Sequence, residues 1–222
     1  MTLPKSASGP GGQPPLVVQV HGDFACFTRP ELKVERVSYP VMTPSAAKGA
    51  LEAIFWKPEF RYQVAAIHVL RPISWFRIRR NETKRVVPLV AALKGEVVDT
   101  VADRDQRSTL GLRGVAYRIY AHVVLTDRAT KNEAAYRDQF RRRVSRGACF
   151  TRPFLGVREF ACEFGESDGT PPIDETADLG VMLHTIHFTE PRRFEWFTAR
   201  LERGVLHVPE RGISADAPAI GA

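Results

Sequence analysis

The chain has 222 residues, enough for one large or two small domains with a real hydrophobic core. A net charge of +7 favours a polyanionic partner, although a merely basic globular protein has the same charge. Three cysteines without metal-ligand spacing argue against a disulfide framework or a zinc site, and no apolar run reaches membrane-spanning length. We therefore expect reduced thiols and a cytoplasmic location.

The N-terminal part of the chain predicts a leader, a strand and a helix. Residues 1–15 are rich in Gly, Pro and Ser, which predicts a disordered leader, and residues 215–222 resemble a similar loose tail. Val17, Val18 and Val20 predict a strand. Thr43-Pro44 is typical of a helix N-cap followed by proline at the first position. Apolar residues then recur at helical spacing up to Phe55, before Pro58.

The middle of the chain adds four strands and a second helix. Strands are predicted at 62–70 and 73–78, followed by an insertion at about 81–114 that carries at most a hairpin. A strand at 115–125 leads to a helix from Asn132 through Arg146, capped by Gly147, and to a strand at 159–164. Without the insertion, the order is strand, helix, strand, strand, helix, strand, which is the split βαβ, ferredoxin-like pattern.

The C-terminal part predicts a smaller unit from about residue 165. Its elements are a strand at 180–188, a helix at 191–203 with Phe194, Phe197 and Leu201 on one face, and a strand at 205–208. The predicted fold is therefore α+β. A ferredoxin-like domain spans 16–164, and a small C-terminal subdomain with a loose tail spans 165–222.

Cationic side chains alternate with aromatic ones in several segments, and this pattern suits RNA. The cations neutralise phosphates and the rings stack on unpaired bases. A solvated basic surface is the alternative for any single arginine, and Phe27 could equally be a core residue. The candidate RNA-binding residues are Phe27, Arg29, Lys33, Arg36, Lys48, Arg79, Arg80, Arg141, Arg142, Arg143, Arg146, Arg152 and Arg158.

The six histidines show no metal-ligand motif, so we expect no metal site. His184 and His187 are three residues apart, and in a regular strand their side chains would face opposite sides. No phosphate-binding or dinucleotide-binding motif is present, and we expect no cofactor and no small-molecule substrate.

Five segments together resemble one known family. They are FACFTRPELKVERVSYPVMTPSAAKGALEAIFWKP from Phe24, Arg79-Arg80-Asn81-Glu82, Asp105-Gln106-Arg107, Phe140-Arg141-Arg142-Arg143, and GACFTRPFLGVREF from Gly147. They are similar to the Cas5d family of CRISPR-associated RAMP proteins from type I-C Cascade, over most of residues 16–188. The resemblance implies a ferredoxin-like RAMP domain followed by a small, mainly antiparallel sheet. It also implies two kinds of partner: CRISPR repeat RNA, as precursor and as mature 5′ handle, and the backbone and large subunits of Cascade.

The same resemblance implies a reaction but leaves its residues in question. Members of this family cleave the repeat RNA without a metal, by attack of a ribose 2′-hydroxyl on the adjacent phosphate. The family's Lys-His pair falls on Ala135 and Tyr136, and its tyrosine or histidine before the helix tryptophan falls on Phe55. Alanine and phenylalanine cannot supply a cation or exchange a proton. Lys131 and Tyr136 are therefore the candidate catalytic substitutes, although Tyr136 could instead pack in the core with Phe140.

Three interpretations of these departures stay open. The chain cleaves RNA with substitute residues such as Lys131 and Tyr136, or it is a non-cleaving subunit that binds the RNA handle within Cascade. In the third, Ala135 is an engineered change.

Overall fold

The computed structural model of the protein describes residues 12–32, 35–84, 87–95, 97, 99–188 and 192–215. These residues form ten strands and three helices. In chain order they are β1 (Leu16–Ala25), β2 (Arg36–Val37), α1 (Pro44–Ile54), β3 (Phe60–Val69), β4 (Trp75–Thr83), α2 (Leu89–Leu93), β5 (Arg104–Leu125), α3 (Glu133–Ser145), β6 (Glu163–Gly165), β7 (Ala177–His187), β8 (Arg193–Glu202), β9 (Val205–His207) and β10 (Ile213–Ala215).

Four of the strands form the predicted ferredoxin-like sheet. They lie in the order β6-β1-β5-β3, and each pair of neighbours is antiparallel. The helices α1 and α3 contact each other and the sheet, so both cover the same face. In the core beneath them, Val18 and Val20 of β1 meet Ile119 of β5 and Leu51 of α1. The α+β RAMP fold is confirmed.

Both long helices begin where the local sequence signals predicted. The hydroxyl of Thr43 accepts a hydrogen bond from the backbone N of Ala46 at 3.2 Å, and Pro44 is the first helical residue of α1. The side-chain oxygen of Asn132 accepts one from the backbone N of Ala135 at 3.1 Å. Gly147, with a φ of +63°, follows the C-terminal end of α3 in the left-handed conformation that glycine adopts readily.

The region predicted as an insertion holds one arm of a long hairpin. The strand β4 pairs with the first half of β5, from Trp75↔Leu112 to Thr83↔Arg104, and the short helix α2 lies between them in the chain. On the other side of the same half of β5, β2 pairs in parallel. The strand β5 is thus 22 residues long and belongs to this hairpin as well as to the ferredoxin-like sheet.

The C-terminal strands β7, β8, β9 and β10 pair in antiparallel fashion. The predicted helix at 191–203 is wrong, because residues 193–202 form the strand β8, while Pro191 lies outside the described residues. Phe197 and Leu201 are four residues apart, a spacing that keeps two side chains on one face of either a helix or a strand. The decisive pattern is alternation: Phe197, Ala199 and Leu201 are buried, and the residues between them are exposed.

The strand β9 pairs with β8 and also with β3, so the C-terminal strands continue the ferredoxin-like sheet. The domain boundary at residue 165 stays a prediction, and residues 1–11 and 216–222 of the predicted leader and tail lie outside the described residues. None of the described helices combines the length and apolar character needed to cross a lipid bilayer.

Candidate functional site

The three family-motif positions come together where the end of α1 meets the start of α3. Phe55 follows α1 and Tyr136 lies in α3, and both rings pack on Phe60, with centroids 5.3 and 5.1 Å away. Tyr136 is only 1% exposed, and its hydroxyl accepts a hydrogen bond from the backbone N of Lys131 at 3.2 Å. Ala135 is half-buried, and Lys131 is exposed. These positions therefore form a packed aromatic cluster with one exposed lysine beside it.

The arginines of α3 fall into different environments. Arg137 is buried, donates to Glu133 at 3.3 Å and to the backbone O of Pro14, and so belongs to the core. Arg141 pairs with Asp138 at 3.2 Å. Arg143 donates to the backbone O of Ile54 at 2.9 Å, and its guanidinium lies 5.2 Å from the ring centroid of Phe55. Arg143 thereby joins α3 to α1.

The loop after α3 closes onto the same end of α1. The backbone N atoms of Phe150 and Thr151 both donate to the backbone O of Ala53, at 2.9 and 3.1 Å. Arg142, Arg146 and Arg152 are exposed here, without an ion pair to any described residue. Two large aromatic side chains are exposed nearby. We call this region the arginine surface, and it consists of Trp56, Arg142, Arg146, Phe150 and Arg152.

Two other predicted RNA-binding arginines lie in an ion-pair network between β2, β4 and the loop before β6. Arg36 pairs with Glu82 at 3.2 Å and with Glu159 at 3.4 Å, and Arg80 also pairs with Glu159. The hydrogen bond from Arg80 lowers the pKa of the Glu159 carboxyl. Because these arginines already have carboxylate partners, RNA would have to compete for them. Arg79 and Arg158 lie next to the network and are exposed, with no ion pair to a described residue.

The first predicted RNA-binding segment is largely structural. Phe27 is 2% exposed, and its ring packs edge-on against Tyr117 with centroids 5.8 Å apart, which supports core packing over RNA contact. Arg29 pairs with Glu31 at 3.4 Å and stacks 4.4 Å over the ring of Tyr39. Lys33 lies outside the described residues.

A groove runs between α1 and the C-terminal strands, and we call it the β7 groove. It consists of two cavities of about 520 and 400 Å³, and Lys48, Thr185 and Ile186 line both. Lys48, a predicted RNA-binding residue, pairs with Glu52 at 3.7 Å. The walls of the groove add cations and aromatic rings, namely Arg61, Arg211, Phe154 and Phe188.

Two histidines line this groove together, against the prediction that they face opposite sides. The pairing of β7 with β8 shifts register between Leu183 and Thr185, so that His184 occupies a bulge. A bulge inserts one residue and changes the alternation of side chains beyond it. His184 and His187 consequently both reach Glu195: Nδ1 of His184 lies 3.6 Å from Oε2, and Nε2 of His187 lies 2.7 Å from Oε1.

The sequence analysis missed Glu195 because it assigned residues 191–203 to a helix. The alternation from Phe197 through Ala199 to Leu201 would have indicated a strand in this segment. No comparable sequence signal predicts the bulge at His184, because the register depends on how β7 pairs with β8.

The loop before β10 fixes the carboxylate of Glu195. The backbone N of Gly212 donates to Oε2 at 3.3 Å, and a Cβ added at Gly212 would lie 2.7 Å from Cβ of Glu195. Burial raises the pKa of Glu195, but hydrogen bonds from His187 and from the backbone of Gly212 lower it by more than burial raises it. The pKa of Glu195 is therefore below its usual value. Glu195 is therefore a carboxylate at neutral pH.

The three cysteines are free thiols in the structure. Burial raises the pKa of Cys26 to about 11 and that of Cys162 to about 12, so both stay protonated at neutral pH. Among the described residues, no group of three or more His, Cys, Asp or Glu side chains is arranged to hold a metal ion.

Comparison with known proteins identifies relatives over most of the chain. Residues 15–210 match the Cas5d family model, described as CRISPR-associated protein (Cas_Cas5). The chain is 41% identical over 210 residues to the CRISPR pre-crRNA endoribonuclease Cas5d of Mannheimia succiniciproducens, covering 86% of this chain and 93% of that protein. It is 45% identical over 215 residues to the protein of the same name from Thermus thermophilus, covering 87% of this chain and 91% of the relative.

Solved structures share the fold at lower sequence identity. A CRISPR-associated protein superposes with a TM-score of 0.66 at 22% identity, over 90% of this chain and 96% of that one. A functionally uncharacterized protein from Streptococcus mutans gives 0.65 at 20% identity, with the same coverage. A chain of a CRISPR RNA-guided surveillance complex gives 0.52 at 15% identity, over 90% of this chain and 91% of its own.

Proposed function

The chain belongs to the Cas5d family of CRISPR-associated proteins, and from that membership we propose that it is an endoribonuclease that cuts precursor CRISPR RNA at the repeat hairpin. The observation that carries the proposal is the identity of 41% and 45% to two relatives named CRISPR pre-crRNA endoribonuclease Cas5d. The cut is metal-independent and uses the ribose 2′-hydroxyl as nucleophile. The protein then keeps the 5′ handle of the product as a cytoplasmic subunit of type I-C Cascade, beside its backbone and large subunits.

The RNA lies on the arginine surface in this proposal. Arg142, Arg146 and Arg152 are exposed without ion pairs to described residues, so they can bind phosphates without first giving up a carboxylate partner. Phe150, 79% exposed, and Trp56, 53% exposed, offer flat rings on which unpaired bases can stack. The arginines that already hold carboxylates, Arg36 and Arg80, contribute less.

A second candidate function is that of a handle-binding Cascade subunit that does not cut. It is supported by the family-motif positions, since Phe55 and Ala135 carry no proton-exchanging group and Tyr136 is buried with its hydroxyl engaged by the backbone of Lys131. Both functions require tight RNA binding that weakens with salt, so a binding measurement alone does not separate them.

A cleavage assay with EDTA present separates the two functions. The substrate is the repeat hairpin RNA of the CRISPR array that accompanies the gene. We expect one cut at the hairpin base, leaving a 2′,3′-cyclic phosphate and a 5′-hydroxyl, because attack by the neighbouring 2′-hydroxyl expels the 5′-oxygen. Tight binding with no cut would establish the second function instead.

Lys131 is the candidate for the missing cation at the family-motif positions. If it stabilises the developing charge on the phosphate, Lys131→Ala should slow cleavage by about 100-fold while RNA affinity stays within about threefold. Lys94→Ala, at an exposed lysine that follows α2, is the matched control and should retain the full rate. A full rate with Lys131→Ala would remove this lysine from the mechanism.

A further inference from the structure

The β7 groove contains what the family-motif positions lack, a histidine poised to exchange a proton beside a carboxylate. The Nε2–H of His187 donates to Oε1 of Glu195 at 2.7 Å, a distance typical of a charge-assisted hydrogen bond. The side chain of His187 is 40% exposed and lines the groove. Its other ring nitrogen, Nδ1, has no hydrogen-bond partner among the described residues. With Nε2 protonated and bonded to the carboxylate, Nδ1 is left as the base.

The neighbouring histidine has a different role. Nε2 of His184 lies 2.9 Å from the backbone O of Pro209, which can only accept, so Nε2 carries the hydrogen. Nδ1 then accepts from the hydroxyl of Thr185 at 2.8 Å. Both nitrogens of His184 are thus used within the protein. His184 supports the wall of the groove, and His187 is the histidine that can serve a ligand.

The rest of the groove offers cations and an aromatic ring to an RNA strand. Lys48, Arg61 and Arg211 line it together with the carboxylates of Glu52, Glu195 and Glu210, and the exposed ring of Phe188 lies at one wall. The groove follows α1 from its N-terminal turns to Glu52, and the arginine surface begins at the C-terminal end of the same helix. The 11 residues of α1 span roughly 16 Å at about 1.5 Å per residue, a distance that a few nucleotides cover.

We propose that His187 is the general base of the cleavage reaction, positioned by Glu195, so that the chemistry takes place in the β7 groove and not at the family-motif positions beside Lys131. Lys131→Ala should then cut at the full rate. This inference rests on the proposed endoribonuclease function. The 2′-hydroxyl gives its proton to Nδ1 of His187 as the bond from O2′ to phosphorus forms. The bond from phosphorus to O5′ then breaks, and the 5′-oxygen takes a proton from water. The hydroxide that remains is neutralised by the proton on His187, and the RNA products end in a cyclic phosphate and a 5′-hydroxyl.

Replacement of His187 tests the proposal. His187→Gln retains a donor for Glu195 but cannot take up a proton, so single-turnover cleavage of the repeat hairpin RNA should fall by about 100-fold or more. RNA affinity should change by less than about threefold. Glu195→Gln removes the charge that positions His187 and should lower kcat by about tenfold or more with KM unchanged.

The chain contains a matched control pair outside the groove. Nε2 of His21 lies 3.3 Å from Oε2 of Glu163, and the His21 side chain is exposed to a similar degree as that of His187. His21→Gln should cleave at the full rate. In His187→Ala, added imidazole should restore part of the missing rate, since a free base can enter the space that the ring leaves. A merely structural role for His187 would not respond to imidazole.

The outcomes separate this inference from the function on which it rests. If the parent chain cuts the hairpin and His187→Gln cuts at the same rate, His187 is not the base and the endoribonuclease function stands. A slow His187→Gln without recovery by imidazole in His187→Ala would assign a structural role and overturn the proposal. If the parent chain binds the hairpin without cutting it, both proposals fall together. A slow His187→Gln, a fast His21→Gln and imidazole recovery would establish the assignment.

Discussion

A buried histidine makes the free energy of unfolding of this protein depend on pH. His68 in β3 is 6% exposed, and its ring packs on Tyr120 with centroids 4.5 Å apart. Burial lowers the pKa of His68 to about 4, and the charges of Arg118 and His207 lower it in the same direction. His68 is therefore neutral in the folded protein at neutral pH, but the unfolded chain still binds a proton there near pH 6.5.

Acid should consequently weaken the fold in the window between pH 6.5 and pH 4. Within it the unfolded state binds more protons than the folded state, so the free energy of unfolding falls as the pH falls, by roughly 1.4 kcal/mol per unit for one such group. Urea unfolding at pH 7 and pH 5 should show a loss of about 2 kcal/mol from His68. His68→Gln should reduce this loss but not abolish it, because burial also lowers the pKa of His122. An unchanged loss in His68→Gln would rule out His68 as its source.

The cationic residues show how far a sequence predicts a site residue by residue. Charge clustering singled out arginines that are exposed, such as Arg142 and Arg146, because the exposed side of a helix follows from its own periodicity; their role in RNA binding stays a prediction. It could not show that Arg36 is held by Glu159, since these two residues are far apart in the chain and meet only through the fold. Pairing between distant charges is a tertiary property, and the sequence carries no local signal for it.

At the scale of elements, the helices were predictable and the C-terminal strands only in part. A helix start has a local cause, and Thr43 and Asn132 cap the helices that they were predicted to cap. The identity of β8 was obscured because Phe197 and Leu201 keep the same spacing on a helix face and on a strand face. The bulge at His184 was beyond prediction, because it depends on the register between β7 and β8.

The loop that borders the β7 groove depends on a glycine. Gly156 has a φ of +87°, and a Cβ added there would lie 2.0 Å from the backbone O of Cys26. Leu155, next to it, accepts a hydrogen bond from the backbone N of Cys26 at 3.0 Å. The loop therefore lies directly against the end of β1, with no space for a side chain at position 156.

Gly156→Ala should destabilise the protein by at least about 3 kcal/mol, because the strained backbone and the clash with Cys26 add together. Gly147→Ala is the matched control. Its φ of +63° carries a similar strain, but the space around it is open, so a destabilisation of about 1 kcal/mol is expected. Urea unfolding midpoints provide the comparison, and equal changes in the two variants would show that the clash with Cys26 adds no cost.

At the scale of the whole molecule, the arginine surface and the β7 groove lie at opposite ends of α1. If RNA binds the arginine surface and His187 is the base, the first supplies most of the affinity for RNA and the second supplies the chemistry. Affinity and cleavage should then respond to different substitutions.

The salt dependence of RNA binding tests whether the arginine surface supplies the affinity for RNA. Arg142→Ala combined with Arg146→Ala removes two exposed cations that pair with no described carboxylate. The plot of log affinity against log salt should become shallower by about 1.4, since each phosphate that a cation neutralises on single-stranded RNA adds about 0.7 to the slope. Arg200→Ala, an exposed arginine of β8 paired with Glu202, should leave the slope unchanged. Fluorescence anisotropy with the repeat RNA between about 50 and 200 mM salt measures the slopes. If the double variant has the same salt slope as the parent protein, the RNA does not bind along the arginine surface.

The shared strand β5 also determines when the protein can assemble during synthesis. Both β1 and β3 form their ladders with β5, through pairs such as Leu16↔Ala121 and Phe60↔Leu125, and β4 and β2 pair with its other half. The strands β1 to β4 are synthesised first and therefore cannot pair with β5 until the chain has been made as far as Leu125. Until that strand emerges from the exit tunnel, four strands lack their main partner and expose backbone hydrogen-bonding groups. We therefore expect the nascent first half of this chain to need protection by chaperones and not to fold on its own.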